Sequence, residues 1–125
     1  MASFALVFAT LATILGALAP ATSPTTDSYG YTWVYADAAS ACSVTGSRWV
    51  LGCTQHGPRV VTIDRPAIEG YARLLREAGY TNACTSAWYM EEVVKKHEAK
   101  HVGGWDHEDG GDPFDECLKK PERRV

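Results

Sequence analysis

His97-Glu98-Ala99-Lys100-His101-Val102-Gly103-Gly104-Trp105-Asp106-His107 carries three of the chain's four histidines within eleven residues, in the pattern H-E-x-x-H-x-x-G-x-x-H. On a helix, His97 and His101 stand one turn apart and project from one face, with Glu98 beside them. Gly104 is free to take the positive φ that turns a chain back after a helix end. His107 can then return toward the other two rings. Three imidazoles suit a zinc ion and leave a fourth position open to water, whose proton Glu98 is placed to accept. Whether this stretch is a site or a coincidence is the main question the sequence poses. Either the last turns of a helix face a metal site, or the helix overruns its core and the histidines meet solvent.

Upstream, Thr85 or Ser86 caps a helix that runs to about Val102. Glu91 and Glu92 lie early and Lys95, Lys96 and Lys100 late, as the helix dipole favours. Ala87, Met90, Val93 or Val94, His97 and His101 share one stripe, so the histidines continue the face that points at the core. An earlier helix begins at Asp64-Arg65-Pro66, with Asp64 as cap and proline in the first turn. Ile68, Tyr71, Ala72, Leu75 and Ala78 line its inner face, and Gly79 ends it. Tyr80 to Ala83 is expected as one short strand between the helices.

Before the helices the period changes to two. Tyr29, Tyr31, Trp33 and Tyr35 alternate and predict a strand with one aromatic face, either packed on the next layer or open as a binding platform. Asp37 to Thr45 reads as a loop. Arg48–Gln55 and Arg59–Ile63 predict a hairpin around His56-Gly57-Pro58. Downstream of the histidines, Trp105 to Glu116 is acidic and reads as a solvated loop; its spacing does not follow the calcium-loop ligand order. Lys119 to Val125 is a basic tail.

Residues 1–21 read as a secretory signal: Phe4 to Leu18 is apolar and uncharged, and Ala19-Pro20-Ala21 is a small-x-small cleavage pattern. The run is short for a membrane span, so no stable anchor is expected. Residues 22–125 then form one small domain with a mobile lead-in over 22–28. Its 12 basic and 15 acidic residues give a net charge of −3, which argues against nucleic acid as a partner. Cys42, Cys53, Cys84 and Cys117 make an even count without C-x-x-C, as expected of two structural disulfides in an exported chain; three pairings are open. The expected fold is α+β, a small antiparallel sheet with two helices on one face.

Two resemblances follow from these residues. Residues 97–107 resemble the long zinc-peptidase signature of the metzincins, which implies zinc held by His97, His101 and His107, with Glu98 as general base. The methionine turn of that family lies after the third histidine, whereas Met1 and Met90 both precede it here. Separately, Cys53-Thr54-Gln55-His56-Gly57 before a helix, Cys84 before a second helix and a late cysteine are similar to the virally encoded killer toxins of smut fungi and the effectors sharing their fold. That resemblance implies a ferredoxin-like two-layer sandwich with Cys53–Cys84 and Cys42–Cys117 as bridges.

Three functions are compatible with the sequence. The first is a secreted effector or toxin-like module, without cofactor, that binds a host or target protein or surface. The second is a very small secreted zinc metallopeptidase built on His97, His101, His107 and Glu98. The third, with little behind it, is a secreted ribonuclease pairing His56 with Glu69 or Asp64.

Overall fold

The computed structural model describes residues 23–46 and 49–118. The expected signal over 1–21 and the basic tail from residue 119 lie outside the described residues. Four strands form one sheet: β1 (Thr25–Thr26), β2 (Thr32–Tyr35), β3 (Gly52–Gln55) and β4 (Val60–Ile63), in the order β1-β2-β4-β3. A one-turn helix, α1 (Ala38–Ala41), follows β2, and two long helices, α2 (Arg65–Glu77) and α3 (Ala87–Val102), follow the sheet. The α+β class is as expected. Among the described residues no helix is long and apolar enough to cross a membrane.

The sheet is mixed, which corrects the antiparallel expectation. The hairpin β3–β4 forms as expected, with Gly52 opposite Ile63 and Gln55 opposite Val60, but β4 also pairs parallel to β2. The β-branched run Val60–Ile63 takes the middle of the sheet, where both faces are covered: Val61, Thr62 and Ile63 are all buried. Such a run stabilises most where neither face meets water.

Register separates the two faces. Gly52, Thr54, Val61, Ile63, Trp33 and Tyr35 point one way, and Cys53, Gln55, Thr62 and Val34 the other. Val61 and Ile63 share one core cluster with Ile68 and Leu75 of α2 and Met90, Val93 and Val94 of α3. Both long helices therefore cover that face. Each of these side chains contributes about 1.5–3 kcal/mol on full burial. The other face carries α1, tied by the Cys42–Cys53 disulfide and by Gln55 Nε2 donating to Ala41 O at 2.9 Å.

The same geometry corrects the disulfide pairing. The bridges are Cys42–Cys53 and Cys84–Cys117, not Cys53–Cys84 and Cys42–Cys117. Cys53 projects from the α1 face of β3, whereas Cys84 is buried in the cluster on the helix face, so the sheet stands between them. Two bridges are the usual state of a chain that matures outside a reducing cytosol.

Local chemistry explains where other expectations gave way. The aromatic strand starts only at Thr32, because Asp27 gathers the residues before it into a turn. Its carboxylate accepts from the backbone N–H of Tyr29 and Tyr31 and from Trp33 Nε1, and Gly30 sits at φ +82°. Tyr29 is left exposed, while Trp33 and Tyr35 pack on the core rather than forming an open platform. Thr25 and Thr26 of the lead-in pair with β2. Residues 83–85 form a 3-10 turn capped by Asn82 instead of a strand.

Both ends of α2 follow their signals, whereas Ser86 stands at the N-cap of α3 without the expected side-chain bond. The Asp64 side chain accepts from Ala67 N at the start of α2. Gly79, at φ +88°, closes α2 with Gly79 N–H to Arg76 O and Tyr80 N–H to Leu75 O, the paired bonds of a Schellman motif.

One contact positions the histidine helix. A Cβ on Gly52 would lie 2.9 Å from Val94 Cγ1, 3.0 Å from Thr62 O and 3.3 Å from Glu98 Cγ. Only glycine lets β3 approach α3 this closely. Gly52→Ala is expected to destabilise the domain by about 1–3 kcal/mol, read as a lower urea midpoint; an unchanged midpoint would contradict the close approach.

Candidate metal centre

α3 ends as the glycine pattern demands. Gly104 takes φ +93°, with Gly104 N–H bonded to His101 O and Trp105 N–H to Lys100 O, a second Schellman motif. The chain reverses there and enters a 3-10 turn, His107–Asp109, locked by a capping box. The Asp106 side chain accepts from His107 N at 2.8 Å, and Asp109 Oδ2 accepts from Asp106 N at 2.8 Å. This turn brings the ring of His107 back over the end of α3.

The three sequence-predicted ligands converge. The Nε2 atoms of His97, His101 and His107 form a triangle with 3.2 Å on every edge. Three imidazole nitrogens at mutual 3.2 Å cannot all be joined by hydrogen bonds, since each Nε2 carries either a proton or a lone pair, and at least one edge must then join two donors or two acceptors. A cation just off the plane of the triangle meets all three lone pairs. Tetrahedral ligands at ~2.0–2.1 Å stand about 3.3–3.4 Å apart, so the triangle fits a first-row metal ion. These three histidines can hold a metal ion.

Neighbouring groups set the rings. His97 is buried, and its Nδ1 lies 2.9 Å from Asp112 Oδ1. Phe114 and Trp105 pack on the His97 ring, with centroids 4.9 and 5.4 Å away. Burial, together with the neighbouring His97 and His107, lowers the pKa of His101 against the pull of the Trp105 backbone and of Asp106. This favours the neutral imidazole that binds metal. Lys100, the cation inside the motif, points away: its Nζ donates to Gly111 O at 2.9 Å and stands 5.3 Å from the Trp105 ring centroid.

Glu98 is only 3% exposed. Its Oε1 accepts from Thr54 Oγ1 at 3.2 Å. Burial pushes its pKa up to about 7, the Thr54 hydrogen bond opposing and the charge of Asp112 adding to the rise. Glu98, His97 and Asp112 line one cleft of about 580 Å³, whose other walls include Trp49, Leu51, Gly52, Tyr71 and Phe114. His101 and His107 do not border it.

The raised pKa of Glu98 has a consequence for the metal-free protein. The folded carboxyl holds its proton to about pH 7, while the unfolded one loses it near 4.5. The part of the stability linked to Glu98 is therefore full below pH 4.5 and falls as pH rises toward 7, by about 3 kcal/mol. Glu98→Gln removes this slope. Urea melts of both proteins, stripped of metal, should show the variant gaining on the wild type between pH 5 and pH 8; a constant difference would contradict the burial of an ionisable Glu98.

The sequence missed Asp112. The region from Trp105 to Glu116 was expected to be a solvated loop, yet it folds into two 3-10 turns and returns Asp112 and Phe114 to His97. Asp112-Pro113 was the available signal, a capping residue followed by proline at the first helical position. Two of the three ribonuclease candidates, His56 and Asp64, are engaged elsewhere. His56 Nδ1 bonds Tyr31 Oη at 2.7 Å, and the two oxygens of Asp64 accept from Ala67 N and Ala38 N. Compared with family models, curated proteins and solved structures, the chain matches none.

Proposed function

We propose that this chain is a very small secreted zinc hydrolase of metzincin type that cleaves peptide bonds. The observation that carries the proposal is the Nε2 triangle, 3.2 Å on each edge, formed by the three histidines of a peptidase signature. Zinc in such a site supplies a Lewis acid that makes water acidic enough to react near neutral pH. The protein's own part is to hold three neutral imidazoles and to place Glu98. Glu98 takes the proton of the attacking water on its carboxylate and returns it to the leaving nitrogen, so each turnover ends with the base restored.

A peptide substrate is supported by β3. It is an edge strand, with β4 on one side and no strand on the other among the described residues. Val50, Leu51 and Gly52 line the cleft that His97 and Glu98 also line. An extended peptide can add to such an edge through main-chain hydrogen bonds.

Two disulfides and the leader-like residues 1–21 support export. The toxin-like effector that binds a host or target protein remains a second proposal, resting on size, export and disulfides and drawing nothing from the histidine triangle. A set of fluorogenic peptides separates the two. The hydrolase reading expects cleavage that a chelator abolishes and one equivalent of zinc restores. Zinc-loaded protein that cleaves none of them would leave the effector reading standing instead.

A further inference from the structure

Asp112 makes two bonds with one oxygen. Its Oδ1 lies 2.9 Å from His97 Nδ1 and also accepts the backbone N–H of Phe114 at 2.9 Å. The second bond caps the 3-10 turn Pro113–Glu116. That turn leads directly to Cys117, which is bridged to Cys84 beside α3 and whose carbonyl accepts from Asn82 Nδ2 at 3.0 Å. Two further bonds hold the segment against the end of α3: Lys100 Nζ to Gly111 O at 2.9 Å and Trp105 Nε1 to Gly110 O at 2.8 Å. Residues 108–117, which follow the last histidine, thus form a strap pinned at both ends, and Asp112 is its hydrogen-bonded contact with His97.

We infer that Asp112 is a positioning residue that couples metal binding to the order of this strap, an inference that rests on the metal-centre reading. A carboxylate can only accept, so at Nδ1 it selects the tautomer with the proton on Nδ1 and the lone pair on Nε2. That lone pair faces the triangle. The bond also fixes the ring plane and makes Nε2 more basic, as carboxylates behind metal-bound histidines do. The coupling is reciprocal: a strap that steadies the ligand is itself steadied when metal binds. Asp112 is half-buried and lies fifteen residues from His97 in sequence, so the local motif alone cannot secure this effect.

Zinc titration against a competing chelator, with the full mature chain, tests the inference on wild type, Asp112→Asn and Asp112→Ala. The amide oxygen of Asn can still accept from both N–H groups, so Asp112→Asn is expected to lose only a few-fold in affinity. Asp112→Ala is expected to lose about 10–100-fold, and added zinc should no longer slow amide exchange over residues 110–116. An Ala variant that binds zinc as wild type does, or whose strap is still protected by zinc, overturns the coupling. Nitrogen chemical shifts of the histidine rings in metal-free wild type give a readout that survives misfolding of Asp112→Ala or failure of wild type to bind zinc. His97 is expected with its proton on Nδ1, and a proton on Nε2 overturns the assignment.

Discussion

Replacing Glu98 by Gln is expected to lower peptide hydrolysis by ~10²–10⁴-fold while leaving zinc at one per chain. The substitution keeps the shape of the side chain and an oxygen that can accept from Thr54 Oγ1. It leaves all three imidazoles untouched and removes only the capacity to take and return a proton. In barrier terms the loss is ~3–5 kcal/mol. Activity assays paired with metal analysis on the same sample check it. A variant that binds zinc and retains activity within a few-fold would show that the base lies elsewhere.

The second large effect concerns the Cys84–Cys117 bridge. The residues it spans, with a sequence separation of 33, include all three histidines and Asp112. Chain entropy puts its contribution at about 4 kcal/mol, against about 3 kcal/mol for Cys42–Cys53, whose separation is 11. Against a total stability of ~5–15 kcal/mol for a small domain, either loss is large. The consequences differ in kind. Removing Cys42–Cys53 by double substitution to Ala frees α1 from the far face of the sheet and should leave zinc affinity within a few-fold. Removing Cys84–Cys117 frees the strap that presses Asp112 and Phe114 on His97, and should lower both the unfolding midpoint and the zinc affinity. Excess zinc should recover much of that midpoint, since a ligand at a thousand times its Kd adds about 4 kcal/mol to the folded state. Equal effects of the two removals on zinc affinity would contradict the role given to the strap.

The parts of this fold that were legible in sequence are those fixed by short-range chemistry. Asp64 before Pro66, Gly79 and Gly104 each act within one helix end, and each did what its side chain, or lack of one, dictates. The histidine convergence was legible in part: one helical turn and one glycine reversal can bring the rings together, but the sequence left solvent-exposed histidines equally open, and the capping box of Asp106 and Asp109 completes the return of His107. Pairings that depend on distant partners were not legible. Which strand flanks Val60–Ile63 is decided by how much apolar surface the middle position buries, and that needs the whole sheet. The disulfides follow from which face Cys53 occupies, a one-residue matter of register that spacing between cysteines does not report. Asp112 was hidden because six acidic residues in a glycine-containing stretch look like solvated surface. Its bond to His97 joins residues fifteen apart in sequence, across a segment whose far end Cys117 ties to Cys84.

Packing adds a physical constraint on the site. Among the described residues the buried apolar side chains form one core cluster, and on α3 its buried members, Met90, Val93 and Val94, lead directly to His97. The face of α3 that packs Met90, Val93 and Val94 on the sheet is the face that carries His97. A substitution that shifts α3 against the sheet therefore moves the triangle as well as the core. Gly52 guards both, since the same missing Cβ lets Val94 pack and leaves Glu98 its place.

The most direct test of the account is to titrate zinc into freshly purified, metal-stripped protein, counting the metal by mass spectrometry and reading its ligands by X-ray absorption. One zinc per chain, with three imidazole nitrogens at ~2.0–2.1 Å, is the predicted result. Less than half an equivalent with no further uptake, or a bound ion without three histidine nitrogens, would contradict it.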